Sequence, residues 1–231
     1  MEEKRYPMCD KCGKLLCVAF GLRVGEEINV EDAPPFCPMK LHPSIIENAV
    51  GEYDNEDVRE LARLSSLQEA ECYELKPDGL RPTKPRVEEI VGFAQKMGYR
   101  RLGIAMCLGL KDEARAMSTI LEAKGFEVVC VGCKLGAVPK ERIGLKPEEK
   151  IMSEELYEPM CNPIAQAEVL NAEGVDLVIL MGMCVGHDTL FIKYCQAPMT
   201  VLSTKDRVTG HNPLAALYTS NSYYGHLRGP K

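Results

Sequence analysis

Tryptophan is absent from this chain of 231 residues, and the other aromatic side chains are five phenylalanines and nine tyrosines. The sequence therefore offers little material for recognising bases or sugars by stacking. No basic excess is present either, because 28 lysines and arginines stand against 34 aspartates and glutamates, for a net charge of −6. A surface that binds nucleic acid is therefore not expected.

Long apolar segments are also missing. The longest apolar run, near residues 175–185, is far shorter than the roughly 20 residues of a membrane-spanning helix. Residues 1–7 lack the apolar stretch of a signal peptide. We therefore expect a cytoplasmic protein without a membrane partner. Hydrophobic residues make up 45% of the chain, which is typical of a globular protein with a substantial core.

Cysteine is the residue that stands out. The chain has eleven cysteines among 231 residues, a smaller fraction than the roughly 8–10% that is typical of a disulfide scaffold. In a reducing compartment, such cysteines are more often ligands or catalysts. Eight of them form two sets of four. One set lies in the first forty residues, and the other lies where predicted strands end or a helix begins: Cys9, Cys12, Cys17 and Cys37; Cys107, Cys133, Cys161 and Cys184.

The two sets predict two metal sites. Deprotonating neighbouring thiols costs about 2 kcal/mol each at neutral pH. A cation that binds thiolates offsets this cost, since structural zinc contributes roughly 10–16 kcal/mol.

The chain divides into three predicted regions. Residues 1–43 form a loop-rich module with four cysteines, and residues 44–98 form a helical segment with helices at 55–73 and 86–97 and a connector between them. Residues 99–231 alternate strands, at 101–106, 126–131, 175–181 and 199–203, with helices at 112–124, 163–172 and 188–194. This alternation predicts an α/β fold, a three-layer sandwich with a mostly parallel, Rossmann-like sheet of four or more strands.

This fold predicts that the second cysteine set converges. Ligands of open parallel sheets bind beyond the carboxyl ends of the strands. Cys107, Cys133 and Cys184 follow predicted strands, and Cys161 lies just before Pro163, at a predicted helix start that favours thiolate. The alternative is that these cysteines are small buried hydrophobes.

The remaining cysteines are treated differently. Burial is preferred for Cys72, on an apolar helix face, and for Cys130, within a strand. Cys195 has no assigned role.

The spacing of each set bears on the metal. The N-terminal set has one Cys-x2-Cys pair, whereas structural zinc usually takes two. Iron–sulfur clusters also bind a compact triplet of cysteines with a remote cysteine followed by proline, here Cys37-Pro38. Zinc and an iron–sulfur cluster therefore both remain possible at the N-terminal site. For the inner set, whose ligands come from separate loops, a [4Fe-4S] cluster is favoured because it is wider than one ion. Two iron–sulfur clusters are therefore expected, with zinc as the alternative at the N-terminal site.

Several motifs together resemble a known family. They are the four-cysteine module, Met160-Cys161-Asn162-Pro163-Ile164-Ala165-Gln166-Ala167-Glu168, Gly182-Met183-Cys184-Val185-Gly186-His187-Asp188, Lys205-Asp206-Arg207 and His211-Asn212-Pro213. In these the chain resembles, over nearly its whole length, the cysteine-rich proteins of bacteria and archaea catalogued as domain of unknown function 1847. The resemblance implies metal binding, without naming the metal or a reaction.

Three functional interpretations follow from the residues. The first is an iron–sulfur protein in electron transfer or redox and sulfur chemistry, whose N-terminal module passes electrons to the inner cluster. Its partner would be a redox protein or a small anionic substrate, and whether it is an enzyme stays open. Five residues after the last two strands could bind such a substrate or move protons, or could be ion pairs that tie loops together: His187, Lys205, Asp206, Arg207 and His211.

The other two interpretations need no cluster. One is a zinc-binding structural or metal-handling protein without catalysis. The other is a cysteine hydrolase or sulfur transferase, because residues 182–186 read G-x-C-x-G, like a nucleophile elbow, with Asp206 and His211 downstream. A ligand on a tight strand-to-helix turn is the preferred interpretation of Cys184.

Overall fold

The alternation predicted for residues 99–231 forms a parallel sheet in the computed structural model, which describes residues 6–229 except 20 and 153. The chain forms two compact units that divide between Ser66 and Leu67. The three-region division at residues 43 and 98 stays a prediction.

The bounds of the regular elements are as follows. The helices are α1 (Pro38–Leu41), α2 (Pro43–Gly51), α3 (Glu56–Ala70), α4 (Arg86–Lys96), α5 (Lys111–Ala123), α6 (Pro163–Ala172), α7 (His187–Tyr194) and α8 (Leu214–Tyr218). The strands are β1 (Tyr73–Lys76), β2 (Gly79–Pro82), β3 (Arg101–Met106), β4 (Glu127–Gly132), β5 (Leu177–Met183) and β6 (Met199–Thr204). Short 3-10 turns fill much of the loops.

Four strands form the main sheet, in the order β4-β3-β5-β6, with every neighbouring pair parallel. Its chain path reverses direction between β3 and β5, because β4 lies on one side of β3 and β5 on the other. The carboxyl ends of β3 and β5 therefore border the crevice where open α/β sheets bind ligands.

Helices cover both faces of this sheet. On one face, α4 and α5 pack Ile90, Leu121 and their neighbours against Leu102 and Ile104. On the other face, α6 and α7 pack against alternate strand residues, with Phe191 fully buried. The predicted three-layer α/β sandwich is confirmed.

A glycine changes the side-chain alternation at the end of β5. Met181 packs on the α4–α5 face, whereas Met183, two residues later, packs on the α6–α7 face. Gly182 between them has φ +66°, and the pairing of β5 with β6 shifts register on both sides of Met181. A Cβ on Gly182 would lie 2.4 Å from a methyl carbon of the buried Leu110, so both the backbone and the space require glycine.

Two predictions about the elements are wrong. Residues 73–82 form an antiparallel hairpin, β1 and β2, where a helix end and a connector were predicted. Its strands are four residues each and almost fully exposed, so no hydrophobic alternation marks them. Helix α2 lies almost wholly in the predicted helical segment 44–98, but a separate helix with these bounds was not predicted. Cys130 is exposed rather than buried, because β4 is an edge strand, whereas Cys72 is buried as expected.

The described part of the chain contains no helix that is long and apolar enough to cross a bilayer.

Candidate functional site

Three of the inner cysteines are each the first residue after a strand. Cys107 follows β3, Cys133 follows β4 and Cys184 follows β5. Cys161 lies two residues before α6, whose N-cap Asn162 accepts a hydrogen bond from the backbone N–H of Ala165. All four cysteines line one small cavity, together with Met183 and His187.

Backbone hydrogen bonds fix the loops that carry these thiols. The N–H of Asn162 donates to the carbonyl of Cys133 at 2.7 Å, which holds the Cys161 loop against the end of β4. The N–H of Cys107 donates to the carbonyl of Met181 at 3.0 Å. The cavity walls are therefore set by the sheet and do not depend on free loops.

Gln166 of α6 joins the ends of two strands. Its side-chain Nε2 donates to the carbonyls of Met106 and Val131, at 3.1 and 2.8 Å, and the residue is fully buried. These carbonyls lie one and two residues before Cys107 and Cys133. Gln166 therefore fixes the separation of two cysteine-bearing loops.

Cys133 is the central thiol of the set. It is 4% exposed, its sulfur accepts a hydrogen bond from the backbone N–H of Leu108 at 3.5 Å, and it interacts with the thiols of Cys107 and Cys161. The hydrogen bond from Cys133 lowers the pKa of Cys107 to about 5, with a further contribution from Lys205. It likewise lowers the pKa of Cys161 to about 5, with help from Lys134. The pKa of Cys133 itself is raised, because its proton is shared with both neighbours and it is buried. The three thiols therefore do not titrate independently of one another.

Cys184 differs from these three. Its sulfur accepts a hydrogen bond from Arg207 Nη2 at 3.1 Å. The charge of Arg207 also acts on Cys107 and Cys161. An arginine therefore lies beside the thiol set from the loop that follows β6.

The thiols are surrounded by cations. Lys134 is near Cys161, Lys205 is near Cys107, and Arg207 is bonded to Cys184. Among the ion pairs of the described residues, none involves Lys134, Lys205 or Arg207. At the cavity, these cations therefore lie beside sulfur atoms and not beside carboxylates of the described residues.

Two of the five predicted substrate-binding candidates instead hold their own loop. The Asp206 carboxylate accepts hydrogen bonds from the backbone N–H of Thr209 and Val208, both at 2.9 Å, and these bonds lower its pKa. His211 Nδ1 accepts from the N–H of Asp206 at 3.2 Å. The structure thus brings Lys205 and Arg207 to the thiols, with His187 lining the cavity, while Asp206 and His211 shape the turn.

The same contacts bear on the nucleophile-elbow interpretation. A hydrolase triad requires a histidine hydrogen-bonded to the nucleophile. The described hydrogen bond of Cys184 comes from Arg207, and His211 is engaged with Asp206. This geometry does not support a triad on Cys184.

The N-terminal set lines a second cavity, within the first unit. Cys9, Cys12, Cys17 and Cys37 surround about 70 Å³, and the remaining walls are mostly apolar. A 3-10 turn begins at Cys9, and the N–H of Cys12 donates back to the Cys9 carbonyl at 3.1 Å. Short turns with few long-range contacts thus bring together thiols spread over 29 positions of sequence.

The cysteine side chains are suitable ligands for a metal that binds thiolates, but their arrangement and the size of the inner cavity are less suitable. Among the described residues, no group of three or more histidine, cysteine or acidic side chains has the arrangement of a single-ion site. The inner cavity holds about 10 Å³, enough for one water-sized sphere. A larger group there requires outward rotation of thiols, and Cys107, Cys161 and Cys184 are only partly buried.

Sequence reasoning missed two residues of the site. Lys134 directly follows Cys133, so adjacency alone could have indicated it. Gln166 carries no such signal, because a glutamine on a helix face is ordinarily solvated. The roles of the eight cysteines as ligands stay predictions.

Two comparisons place the chain among known proteins. It is similar to the uncharacterized protein MJ0455 of Methanocaldococcus jannaschii, with 40% identity over 216 residues, which cover 94% of this chain and 95% of that protein. Residues 37–202 match the model of a family described as protein of unknown function (DUF1847). These residues include every cysteine of the inner set and, of the N-terminal set, Cys37 alone. The chain belongs to this family.

Proposed function

We propose that this protein binds metal through two four-cysteine sites, and that it is an iron–sulfur protein acting in electron transfer or redox chemistry. The observation that carries the proposal is the charge around the inner thiols. Lys134, Lys205 and Arg207 lie beside three of the four sulfurs, and no described carboxylate pairs with them. A thiolate-bound group places negative charge beside these cations, which neutral thiols would not.

The position of the inner thiols supports a cluster. They come from three strand ends and one helix start, and iron–sulfur clusters are commonly held by four cysteine thiolates. Cys107, Cys133, Cys161 and Cys184 would hold the inner group, and Cys9, Cys12, Cys17 and Cys37 the N-terminal one. Such a group supplies one-electron chemistry when bound.

The chain's own residues have separate tasks around the inner site. Gln166 fixes the strand ends that carry two ligands. Arg207 orients Cys184 and offsets negative charge, and hydrogen bonds to sulfur together with nearby charge are factors that set a cluster's reduction potential. His187 lines the same cavity and Lys205 interacts with Cys107, so both can attract an anionic substrate.

Zinc is the second candidate, and one observation favours it. The inner cavity has room for about one water-sized sphere, less than a cluster needs, although its side chains do not have the arrangement of a single-ion site. On this alternative the protein is a structural or metal-handling protein without redox chemistry.

Metal counting on anaerobically purified full-length protein separates the candidates. Iron with acid-labile sulfide, and a broad visible absorption that bleaches on reduction, is the expected result. Stoichiometric zinc in colourless protein would establish the second candidate instead. A chain that takes up neither metal would refute both.

A further inference from the structure

The hairpin of β1 and β2 is a sheet of its own. Its two strands pair with each other, and among the described residues no third strand joins them. Seven of its eight strand residues are exposed. A lone two-stranded hairpin is marginally stable in water, whereas three or more strands with an apolar face are stable. A further strand at one of its edges would therefore stabilise the hairpin.

The hydrogen bonds at the base of the hairpin show which backbone groups point outward. The N–H of Thr83 donates to the carbonyl of Cys72 at 2.8 Å, so these opposite residues form a hydrogen-bonded pair. Bonded and non-bonded pairs alternate along an antiparallel ladder. The next pair, Tyr73 and Pro82, is therefore non-bonded, and so is every second pair after it. The backbone groups of these residues point away from the partner strand.

The two outer edges of the hairpin differ. The outward groups of β2 belong to Leu80 and Pro82, and Pro82 has no N–H to donate, which blocks that edge. The outward groups of β1 belong to Tyr73 and Leu75, which both have an N–H and a carbonyl. The edge of β1 is therefore the one that can accept another strand.

The side chains of the hairpin give it one apolar and one charged face. Leu75 and Leu80 lie directly opposite each other, on the same face, and are 81% and 62% exposed. The opposite face of β1 carries Glu74 and Lys76, whose side chains form an ion pair at 2.6 Å. A strand that pairs with β1 should therefore match an apolar residue on one face and charges of both signs on the other.

We propose that this strand is β1 of a second copy of the chain, paired antiparallel so that Leu75 lies opposite Leu75 of the second copy. In this register Glu74 lies opposite Lys76 of the second copy, and the two-fold symmetry repeats the pair; opposite charges across strands are stabilising. The four copies of Leu75 and Leu80 form one apolar row across a four-stranded sheet. A register centred on Glu74 would instead place like charges directly opposite each other, which is destabilising.

The pairing is short, so the dimer should dissociate readily. It joins two strands of four residues, far less than the surface that a permanent interface buries. We therefore expect a reversible equilibrium between monomer and dimer. The proposal is independent of the metal sites, because the hairpin lines neither cysteine cavity.

Charge substitutions in the full-length protein test the register. Sedimentation over a series of concentrations should show the equilibrium for the wild type. Lys76→Glu should weaken dimerisation by about tenfold, because two opposite-charge pairs become like-charge pairs. Glu74→Lys combined with Lys76→Glu should restore it. Lys124→Glu, the same charge change at an exposed residue outside the hairpin, is the matched control and should behave as wild type. A monomer at every concentration, or a double variant as weak as Lys76→Glu, would overturn the proposal.

Crosslinking gives a second test that captures a weak dimer. Opposite residues of a bonded pair have Cα atoms about 5.5 Å apart, within the range of a disulfide. The two copies of Leu80 would be three strand spacings apart, about 14 Å, which is too far. After mild oxidation, mass spectrometry of peptides should therefore find a disulfide through residue 75 of both copies in Leu75→Cys, and none through residue 80 in the matched variant Leu80→Cys. Equal crosslinking of both variants, or of neither, would overturn the pairing of β1 with itself.

Discussion

Substituting Gly182 by alanine tests the geometry that delivers Cys184 to the cavity. Two costs add. A left-handed backbone costs a residue with a Cβ about 1–2 kcal/mol, and φ at Gly182 is +66°. The new Cβ would also lie 2.4 Å from Leu110 Cδ1, in a side chain that is 3% exposed. Such overpacking costs typically about 1–3 kcal/mol.

The free energy of unfolding should therefore fall by about 2–5 kcal/mol in Gly182→Ala. At a urea m-value of roughly 2 kcal/mol per molar, the midpoint of unfolding moves down by about 1–2.5 M. Circular dichroism of the full-length chain during urea unfolding measures this shift.

Gly174→Ala is the matched control for backbone strain. Its φ is +61°, but a Cβ there would have no neighbour within 4 Å, so only the strain of about 1–2 kcal/mol should appear. In a Leu110→Ala background, the effect of Gly182→Ala should shrink to that of the control, because the overlapping methyl groups are gone. Equal effects of Gly182→Ala and Gly174→Ala in the wild-type background would refute the overlap with Leu110.

Two further predictions concern the supports of the inner site and its neighbouring loop. Gln166→Leu should lower the free energy of unfolding by about 1–3 kcal/mol in urea unfolding, because the carbonyls of Met106 and Val131 lose their donor; stability equal to wild type would contradict this. Glu158 is ion-paired with Lys140, and this hydrogen bond places its pKa below the usual 4.5. A lowered pKa means that the carboxylate stabilises the fold above pH 4.5 and that this contribution is lost as the pH falls through the folded-state pKa. Glu158→Gln should therefore be less stable than wild type at neutral pH and approach it in acid, and an equal difference at both pH values would rule out the pair.

The backbone positions of the inner cysteines were predictable from sequence. Apolar runs separated by helices fix a parallel sheet, and a residue just after a strand must lie at its carboxyl end. This placed Cys107 and Cys184 at one edge without knowledge of any contact. The prediction that Cys130 is buried was wrong because the hydrophobic pattern of a strand does not show its place in the sheet. An edge strand such as β4 can have the same pattern as an inner strand.

The sequence did not predict which charged side chains contact the thiols and which contact their own loop. Lys205, Asp206 and Arg207 are consecutive, yet the middle residue turns back to its own backbone while the outer two reach the thiols. Sequence shows that three ionic side chains share a loop, but the direction of each depends on the conformation of the turn. The hydrogen bonds that the Asp206 carboxylate accepts from the backbone N–H groups of Val208 and Thr209 exist only once that turn is formed.

The two cysteine sites differ in what the protein needs from them. Among the described residues of the first unit, the buried apolar side chains are Ala33 and Leu64, and Ile45 and Val50 are more than half exposed. A unit of that size with so little apolar burial depends on a metal, a crosslink or a partner surface. The second unit has an apolar core on both faces of its sheet, so its burial of apolar side chains does not depend on its thiols. On the proposed function, the N-terminal metal therefore has a structural task and cannot easily exchange ligands. On the same proposal the inner metal carries no such task, because the sheet already positions its four cysteines.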